Sequence, residues 1–218
     1  DHQLPLAGGG LRQGRLMPGA RSLRGAMVCE AGVTTAEAAV NPEARATPIP
    51  GLLEITSTAF LDARGSFLSA YRREDFAPWW GERPVDQVNV SRTERVGAIR
   101  GLHGQQGATP EAKLVRCLRG RVFDVAVDLR TDSPAFGQWQ GIELSPGSAK
   151  AWLIPEGCLH GFQVLEPGSE LLYVHSAPYR PADQLGVVWN DPDLAIRWPL
   201  PPVDLSPRDR QLPRLSAL

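Results

Sequence analysis

Short runs of alternating polar and apolar residues, each closed by a turn sequence, most constrain what this chain can fold into. In "GRVFDVAVDLR", Phe123, Val125 and Val127 face one way while Asp124 and Ala126 face the other, the period of two expected of a strand. Turn sequences such as "TDSPAFG", "SPGS", "EPGS" and "NDPD" separate the runs. About ten short strands of this kind predict an all-β antiparallel sandwich or barrel.

Two further segments sharpen this prediction. In "DQVNVSR", Gln87, Asn89 and Ser91 share one face and Val88 and Val90 the other, which predicts a half-buried strand. In "SELLYVHSA", one strand face carries the side chains of Leu171, Tyr173 and His175. Helical periodicity is weak throughout, and "REDFAPWW" is expected to supply one or two helical turns.

Composition excludes several classes of protein. The 22 glycines and 20 prolines are about a fifth of the 218 residues, which disfavours a helical bundle. With 23 basic and 24 acidic residues the net charge is −1, so a broad nucleic-acid-binding surface is not expected. No apolar run approaches the roughly 18–20 residues of a membrane-spanning helix. Three cysteines without zinc spacing predict neither a disulfide framework nor a structural metal, and the expected compartment is the reducing cytoplasm.

The chain divides into two parts of different composition. Residues 1–47 lack aromatic side chains and are expected to form a disordered or loosely attached N-terminal extension. Residues 48–218 carry the strand patterns and are expected to form the folded domain. The extension has no signal-peptide pattern, and we expect natural translation to begin at Met17 or Met27.

Three polar segments interrupt the apolar strands. In "AIRGLHGQQ", Arg100 and His103 have opposite parity, but Gly101 and Gly104 are suited to a bulge that turns both side chains into one cavity. The segment "IPEGCLHGF" contributes one histidine, and "LLYVHSAPYRP" contributes two tyrosines six residues apart: His160, Tyr173 and Tyr179. From local sequence alone, a structural role explains Arg100 and His103 as well as a functional role does, and it is the favoured explanation for His160, Tyr173 and Tyr179.

Other chemistries lack their residue patterns. A jelly-roll metal site needs two histidines one residue apart, but His103 is followed by Gly104 and Gln105, so no metal is expected. Neither a phosphate-binding glycine loop nor a nucleophile elbow is present. Cys117 and Cys158 have apolar neighbours and are expected to pack rather than react.

Taken in order, these segments resemble the dTDP-4-dehydrorhamnose 3,5-epimerases of nucleotide-sugar biosynthesis, which belong to the cupin superfamily. The resemblance covers about residues 48–215 and rests on "FLDARGSF", "QVNVSRT", "IRGLH", "KLVRCLRGRVFDVAVDLRTDSPAFGQW", "WLIPEGCLHGF", "LLYVHSAPYRP", "VVWNDPDLAIRWP" and "LSPRD". It implies a cupin jelly-roll barrel or sandwich, usually a homodimer, that acts on a dTDP-sugar and uses no metal or organic cofactor.

The resemblance also implies site residues. His103 matches the catalytic base, Tyr173 the proton donor, and Asp209 is the candidate carboxylate partner of the base. Tyr179 matches the aromatic residue that stacks on thymine. The remaining matches are to nucleotide-contacting, substrate-lining or pyrophosphate-lining positions: Arg64, Gln87, Asn89, Arg100, Lys113 and His160.

The chain departs from the family pattern at three positions and in the loop "QQGATPEA" that follows Gly104. Gly104 stands where an aromatic residue commonly follows the histidine, Ser69 replaces a usual Glu, and Gln184 replaces a common Glu. These changes leave alternatives open. The expected activity is epimerisation at C3 and C5 of a dTDP-4-keto-6-deoxyhexose; the alternatives are a single-carbon epimerase, a catalytically silent sugar-nucleotide-binding cupin and a metal-dependent cupin.

Overall fold

The computed structural model describes residues 42–218, which form thirteen strands and two α-helices. The strands are β1 (Glu43–Ala46), β2 (Leu53–Thr56), β3 (Phe60–Asp62), β4 (Gly65–Phe67), β5 (Gln87–Thr93), β6 (Ile99–Gln105), β7 (Lys113–Arg119), β8 (Val122–Asp128), β9 (Trp139–Leu144), β10 (Lys150–Ile154), β11 (Cys158–Val164), β12 (Ser169–His175) and β13 (Gln184–Gly186). The helices are α1 (Arg73–Trp80) and α2 (Pro207–Arg210), and 3₁₀ turns cover Pro146–Ser148, Pro181–Asp183 and Leu215–Ala217.

Two antiparallel sheets make up the body of the protein. The larger sheet has the strand order β1-β2-β10-β7-β12-β5, and the smaller has the order β13-β6-β11-β8-β9. Most neighbours in each sheet are distant in sequence, as expected of a jelly roll, and β3 and β4 form a separate hairpin. The predicted antiparallel jelly-roll sandwich is therefore confirmed; its two sheets do not close into a single barrel.

Apolar side chains fill three layers. Between the sheets, Val115 and Trp152 of the larger sheet pack in one cluster with Ala126 and Phe162 of the smaller sheet. Outside the larger sheet, α1 covers the strands with the aromatic side chains of Phe76 and Trp80. Outside the smaller sheet, the C-terminal segment covers the strands with aliphatic side chains and with Trp198. Both faces of β8 are covered. Its alternate side chains therefore point into two different buried layers, rather than one set into the core and the other into solvent.

The strand β5 has the predicted alternation, and the structure shows which of its two faces points inward. Val88 and Val90 are 56% and 59% exposed, whereas Gln87, Asn89 and Ser91 face a cavity inside the sandwich. Alternation located the strand correctly, but the polar face points inward because β5 is the edge of the larger sheet and lies over that cavity.

Residues 1–41, including Met17 and Met27, lie outside the described residues, so the predicted extension is not described over most of its length. The last residues assigned to that extension form β1, which pairs with β2 along Glu43–Ala46. In the part of the chain that the structure describes, each helix is too short or too polar to cross a membrane.

Candidate active site

A cavity of about 960 Å³ opens between the two sheets at the β5 edge. Its walls come from β5, β7 and β12 on one side, from β6 and β11 on the other, and from the segment that leads into α2. Nine of the ten residues that the sequence assigns to a site line it: Gln87, Asn89, Arg100, His103, Lys113, His160, Tyr173, Tyr179 and Asp209.

A β-bulge in β6 brings Arg100 and His103 into this cavity. His103 lies opposite His160 of β11, and Arg100 lies opposite Phe162, so three steps along β6 match two steps along β11. Both side chains consequently point to the same face of the sheet. Gly101 permits the bulge: its φ is +111°, and a Cβ there would lie 2.7 Å from backbone atoms of β11. The predicted bulge is confirmed.

Asp209 holds the imidazole of His103. The distance from His103 Nε2 to Asp209 Oδ1 is 2.7 Å, and Asp209 Oδ2 accepts a hydrogen bond of 3.1 Å from the backbone N–H of Gly101. Burial alone raises the pKa of Asp209, but the hydrogen bonds from His103, Gly101 and Ser206 outweigh burial and hold this pKa below its usual value. An ionised Asp209 accepts from Nε2–H, so the lone pair of His103 lies on Nδ1.

Tyr173 lies on the opposite wall, because β12 belongs to the larger sheet and β6 to the smaller. The Tyr173 hydroxyl is 3.1 Å from Ser91 Oγ on the neighbouring strand β5, two residues along from Asn89, which lies directly opposite Tyr173. Burial raises the pKa of Tyr173, and the Ser91 hydrogen bond offsets only part of this rise. Tyr173 therefore stays protonated at neutral pH and can donate a proton.

His160 is a second imidazole with a carboxylate partner. It lies within β11 rather than at a strand end, and its Nε2 is 2.9 Å from both carboxylate oxygens of Asp124. Burial raises the pKa of Asp124, and His160 opposes this effect. The His160 ring meets the Tyr173 ring edge to face at 5.9 Å. This pair thus fixes a buried polar floor between the two walls.

Hydrogen bonds hold two polar side chains at the cavity mouth, those of Arg100 and Gln87. Arg100 Nε donates to Thr93 Oγ1 at 2.8 Å. Gln87 Oε1 accepts a hydrogen bond of 3.1 Å from the backbone N–H of Tyr179, whose ring is half exposed. This arrangement presents a guanidinium and an aromatic face to an incoming ligand.

Arg64 is the exception among the predicted site residues. It lies in the turn between β3 and β4, its side chain is 90% exposed, and it pairs with Asp62, with Nε 3.0 Å from Oδ2. Within one chain, Arg64 does not line the cavity. The motif "FLDARGSF" corresponds to the β3–β4 hairpin. This hairpin is a separate two-stranded sheet, and its turn, which carries Arg64, does not reach the cavity.

Of the three positions that depart from the family pattern, one lines the cavity and two lie away from it. Gly104 faces β11, where a Cβ would lie 2.9 Å from the Leu159 side chain. Ser69 lines a smaller depression beside the β3–β4 hairpin. Only Gln184 lines the main cavity, where its amide oxygen contacts Arg208.

The sequence reasoning missed four polar partners in or beneath the cavity wall: Ser91, Glu111, Asp124 and His175. Strand parity held a signal for three of them, since His175 shares a face with Tyr173, Ser91 with Asn89, and Glu111 precedes Lys113 by two residues. Among residues 42–218, no three His, Cys, Asp or Glu side chains converge in the way a metal site requires.

The chain matches known proteins over most of its length. Residues 46–217 match the family model described as dTDP-4-dehydrorhamnose 3,5-epimerase. The enzyme of that name from Salmonella typhimurium is 40% identical over 172 residues, covering 78% of this chain and 88% of the relative. A dTDP-4-dehydrorhamnose 3-epimerase from Streptomyces niveus is 43% identical over 164 residues, covering 74% and 78%.

Solved structures agree with this match. A dTDP-6-deoxy-D-glucose-3,5-epimerase from Legionella pneumophila, in complex with dTDP-4-keto-L-rhamnose, superposes with a TM-score of 0.76 at 37% identity, covering 80% of this chain and 93% of that chain. Two facing sheets, a cavity between them and the family's motifs at its walls thus occur together in one chain. On this evidence the chain belongs to the dTDP-4-dehydrorhamnose 3,5-epimerase family and is an isomerase.

Proposed function

We propose that this protein converts dTDP-4-dehydro-6-deoxyglucose to dTDP-4-dehydrorhamnose by inverting C3 and C5. The observation that carries the proposal is the placement of a carboxylate-held imidazole, His103, and a protonated phenol, Tyr173, on facing sheets of one cavity. Inversion next to a ketone needs a base on one side of the carbon and a proton donor on the other.

The His103–Asp209 pair acts as the base. A neutral imidazole carries a basic nitrogen lone pair that can accept a carbon-bound proton. With Nε2–H directed at Asp209, Nδ1 takes the proton and the carboxylate stabilises the imidazolium that forms. The step breaks the C–H bond at C3 or C5 and leaves an enolate whose charge gathers on the C4 oxygen.

The facing wall completes the inversion. The ammonium of Lys113 stabilises the enolate oxygen, a charge that exists only once the C–H bond breaks. Tyr173 then delivers its proton to the opposite face of the carbon, while the two walls on either side of that carbon limit unselective protonation by water. Arg100 binds pyrophosphate oxygens, Gln87 and Asn89 contact the nucleotide, His160 lines the substrate site, and Tyr179 stacks on thymine.

Deuterium exchange tests the proposal. Incubation with dTDP-4-dehydro-6-deoxyglucose in deuterated water is expected to label C5 and C3, and His103→Asn is expected to abolish both labels. Unchanged exchange in His103→Asn would remove the proposed base. No label with the unaltered protein would favour a silent binding protein, and activity that requires added metal after chelation would favour a metal-dependent cupin.

A single-carbon epimerase is the second candidate, because the Streptomyces niveus relative, a 3-epimerase, is as similar to this chain as the 3,5-epimerases are. The same exchange experiment separates the two. Label at only one of the two carbons would identify the single-carbon activity.

We also propose that the protein is a homodimer of the cytoplasm. The edge strand β5 leaves Val88 and Val90 exposed, and the β3–β4 hairpin exposes Phe60, Leu61 and Phe67. Exposed apolar groups on a sheet edge favour association with a second copy. The buried thiols of Cys117 and Cys158, whose pKa values burial raises, fit a reducing compartment.

A further inference from the structure

A third imidazole–carboxylate pair lies in the cavity wall, and the proposed mechanism does not use it. His175 Nδ1 is 2.8 Å from Glu111 Oε2, and the other oxygen of the same carboxylate, Oε1, is 2.7 Å from Lys113 Nζ. One carboxylate therefore joins the Lys113 amine to an imidazole that belongs to neither of the other two imidazole–carboxylate pairs. All three side chains line the cavity.

Strand pairing brings these three residues together. Lys113 lies directly opposite His175 where β7 pairs with β12, and Glu111, two residues before Lys113, points to the same side. The residues between and beside them are fixed as well: Ser176 N–H donates to the Ala112 carbonyl at 3.0 Å, and Ala112 N–H donates to Ser176 Oγ at 2.8 Å. The carboxylate is thus presented on a rigid backbone.

Burial strengthens the electrostatic contacts that Glu111 makes with Lys113 and His175. Glu111 is 8% exposed and Lys113 is 7% exposed. Burial by itself raises the pKa of Glu111, but the contacts with His175 and Lys113 outweigh burial and lower this pKa to about 2. The carboxylate is therefore ionised at neutral pH and accepts hydrogen bonds from both neighbours.

Each neighbour of Glu111 has a further polar group besides the one that contacts the carboxylate. The ammonium of Lys113 has three N–H groups and uses one on Glu111. His175 Nδ1–H donates to Glu111, so Nε2 is an acceptor, and it lies 3.3 Å from Asn89 Nδ2. An amide whose nitrogen faces His175 leaves its carbonyl oxygen for the cavity.

We propose that Glu111 and His175 are positioning residues of this enzyme: Glu111 holds the Lys113 ammonium beside the sugar keto oxygen, and His175 holds the Asn89 amide against the nucleotide. This inference rests on the proposed function, because it assigns Lys113 and Asn89 their substrate contacts. The connected group of side chains thus has two parts. The reaction arm is Glu111 with Lys113, which serves the chemical step, and the binding arm is His175 with Asn89, which serves nucleotide binding.

A double-mutant cycle tests the arm that serves the reaction. Glu111→Gln keeps the shape of the side chain and removes its charge, so Lys113 loses its fixed position. We expect kcat to fall about 10- to 100-fold with KM within about threefold, since the enolate charge arises only in the transition state. In a Lys113→Met background, Glu111→Gln should cause no further loss. Additive losses would show that Glu111 acts independently of Lys113 and would overturn this arm.

His175→Gln tests the arm that serves binding. Releasing Asn89 is expected to raise KM and the Kd for dTDP about 3- to 10-fold while leaving kcat nearly unchanged. A fall in kcat without a change in the dTDP Kd would contradict this assignment. The matched control is Glu156→Gln, which removes the carboxylate partner of Arg83 outside the cavity and is expected to change neither constant.

A spectroscopic measurement makes the Lys113 contact visible without turnover. The chain has two lysines, Lys113 and Lys150, so protein labelled with ¹³Cε-lysine should give two signals. Glu111→Gln should move the Lys113 signal and leave the Lys150 signal, whose partner is Glu54, in place. Two unmoved signals would refute the contact. If the unaltered protein shows no exchange, the proposed function and this inference fall together; normal exchange in Glu111→Gln overturns the inference alone.

Discussion

At the scale of single residues, the cavity is defined by what each imidazole contacts. His103 is fixed by Asp209, His160 by Asp124 and His175 by Glu111, and the three differ in what remains free. A carboxylate partner orients each ring and sets which nitrogen carries the proton. The sequence indicated the first pair, because a family resemblance supplied the Asp209 candidate. The other two carboxylates were missed because they are 36 and 64 residues from their partners.

Tyr173→Phe tests the assignment of the proton donor. Removal of the hydroxyl leaves the ring packing and should lower kcat about 100- to 1,000-fold while changing KM less than about threefold. Steady-state kinetics with the 4-keto-sugar nucleotide measures both constants. Ser91→Ala, which removes only the hydrogen-bond partner of that hydroxyl, is the control and should cost less than about tenfold. An equal loss in both variants would contradict the assignment.

Acid unfolding tests the ionised state of Glu111. Its pKa of about 2 in the folded protein lies below the ordinary value of 4.5, so its stabilisation is present above pH 4.5 and is lost as the pH falls from 4.5 toward 2. Glu111→Gln should therefore lose stability less steeply than the unaltered protein in this range, by at most about 3 kcal/mol in total. Denaturant titrations at several pH values measure the slopes. Glu82→Gln, at an exposed carboxylate, should match the unaltered protein; the inference fails if Glu111→Gln does too.

At the scale of elements, the bulge in β6 decides whether the site exists. Strand parity alone places Arg100 and His103 on opposite faces, and the glycine between them was the signal for an irregularity. The sequence indicated that a bulge was possible. Only the pairing with β11 showed its direction, since Gly101 packs directly on Gly161 and the His160 carbonyl.

Gly101→Ala tests the bulge. The added methyl group would meet β11 backbone at 2.7 Å in a backbone conformation that non-glycine residues rarely adopt. We expect a loss of about 2–4 kcal/mol in the free energy of unfolding, measured by denaturant titration, together with loss of deuterium exchange. Gly147→Ala is the matched control, because a Cβ there meets nothing within 4 Å. Equal stability of the two variants would show that β11 moves aside easily.

At the scale of the whole molecule, the larger sheet ends in an edge strand, β5, that pairs on one side only. β5 is the last strand in the order β1-β2-β10-β7-β12-β5, and it exposes an apolar face beside the cavity. The sequence predicted the alternation of this strand but left open which face is buried. The structure turns the polar face inward, because the interior that β5 faces is a polar cavity.

The combined variant Val88→Glu and Val90→Glu tests association through this edge. Two carboxylates on the exposed face would repel those of a second copy, so the dimer expected of the unaltered protein should shift to monomer. Sedimentation or light scattering measures the mass. Leu118→Glu places a charge on a different exposed apolar residue and should leave the mass unchanged. A double variant that keeps the dimer mass would exclude β5 from the interface.

The sequence by itself determined most strands, their turns and, wherever a strand is regular, which side chains share a face. The two-residue period of a strand and the backbone preferences of glycine and proline are local properties. Tertiary structure alone decided which faces meet. It placed His175 against Glu111 and turned the polar face of β5 inward, and it kept Arg64 of this chain outside the cavity. These contacts depend on which strands become neighbours, and residues far apart in the chain settle that question together through burial and hydrogen bonding.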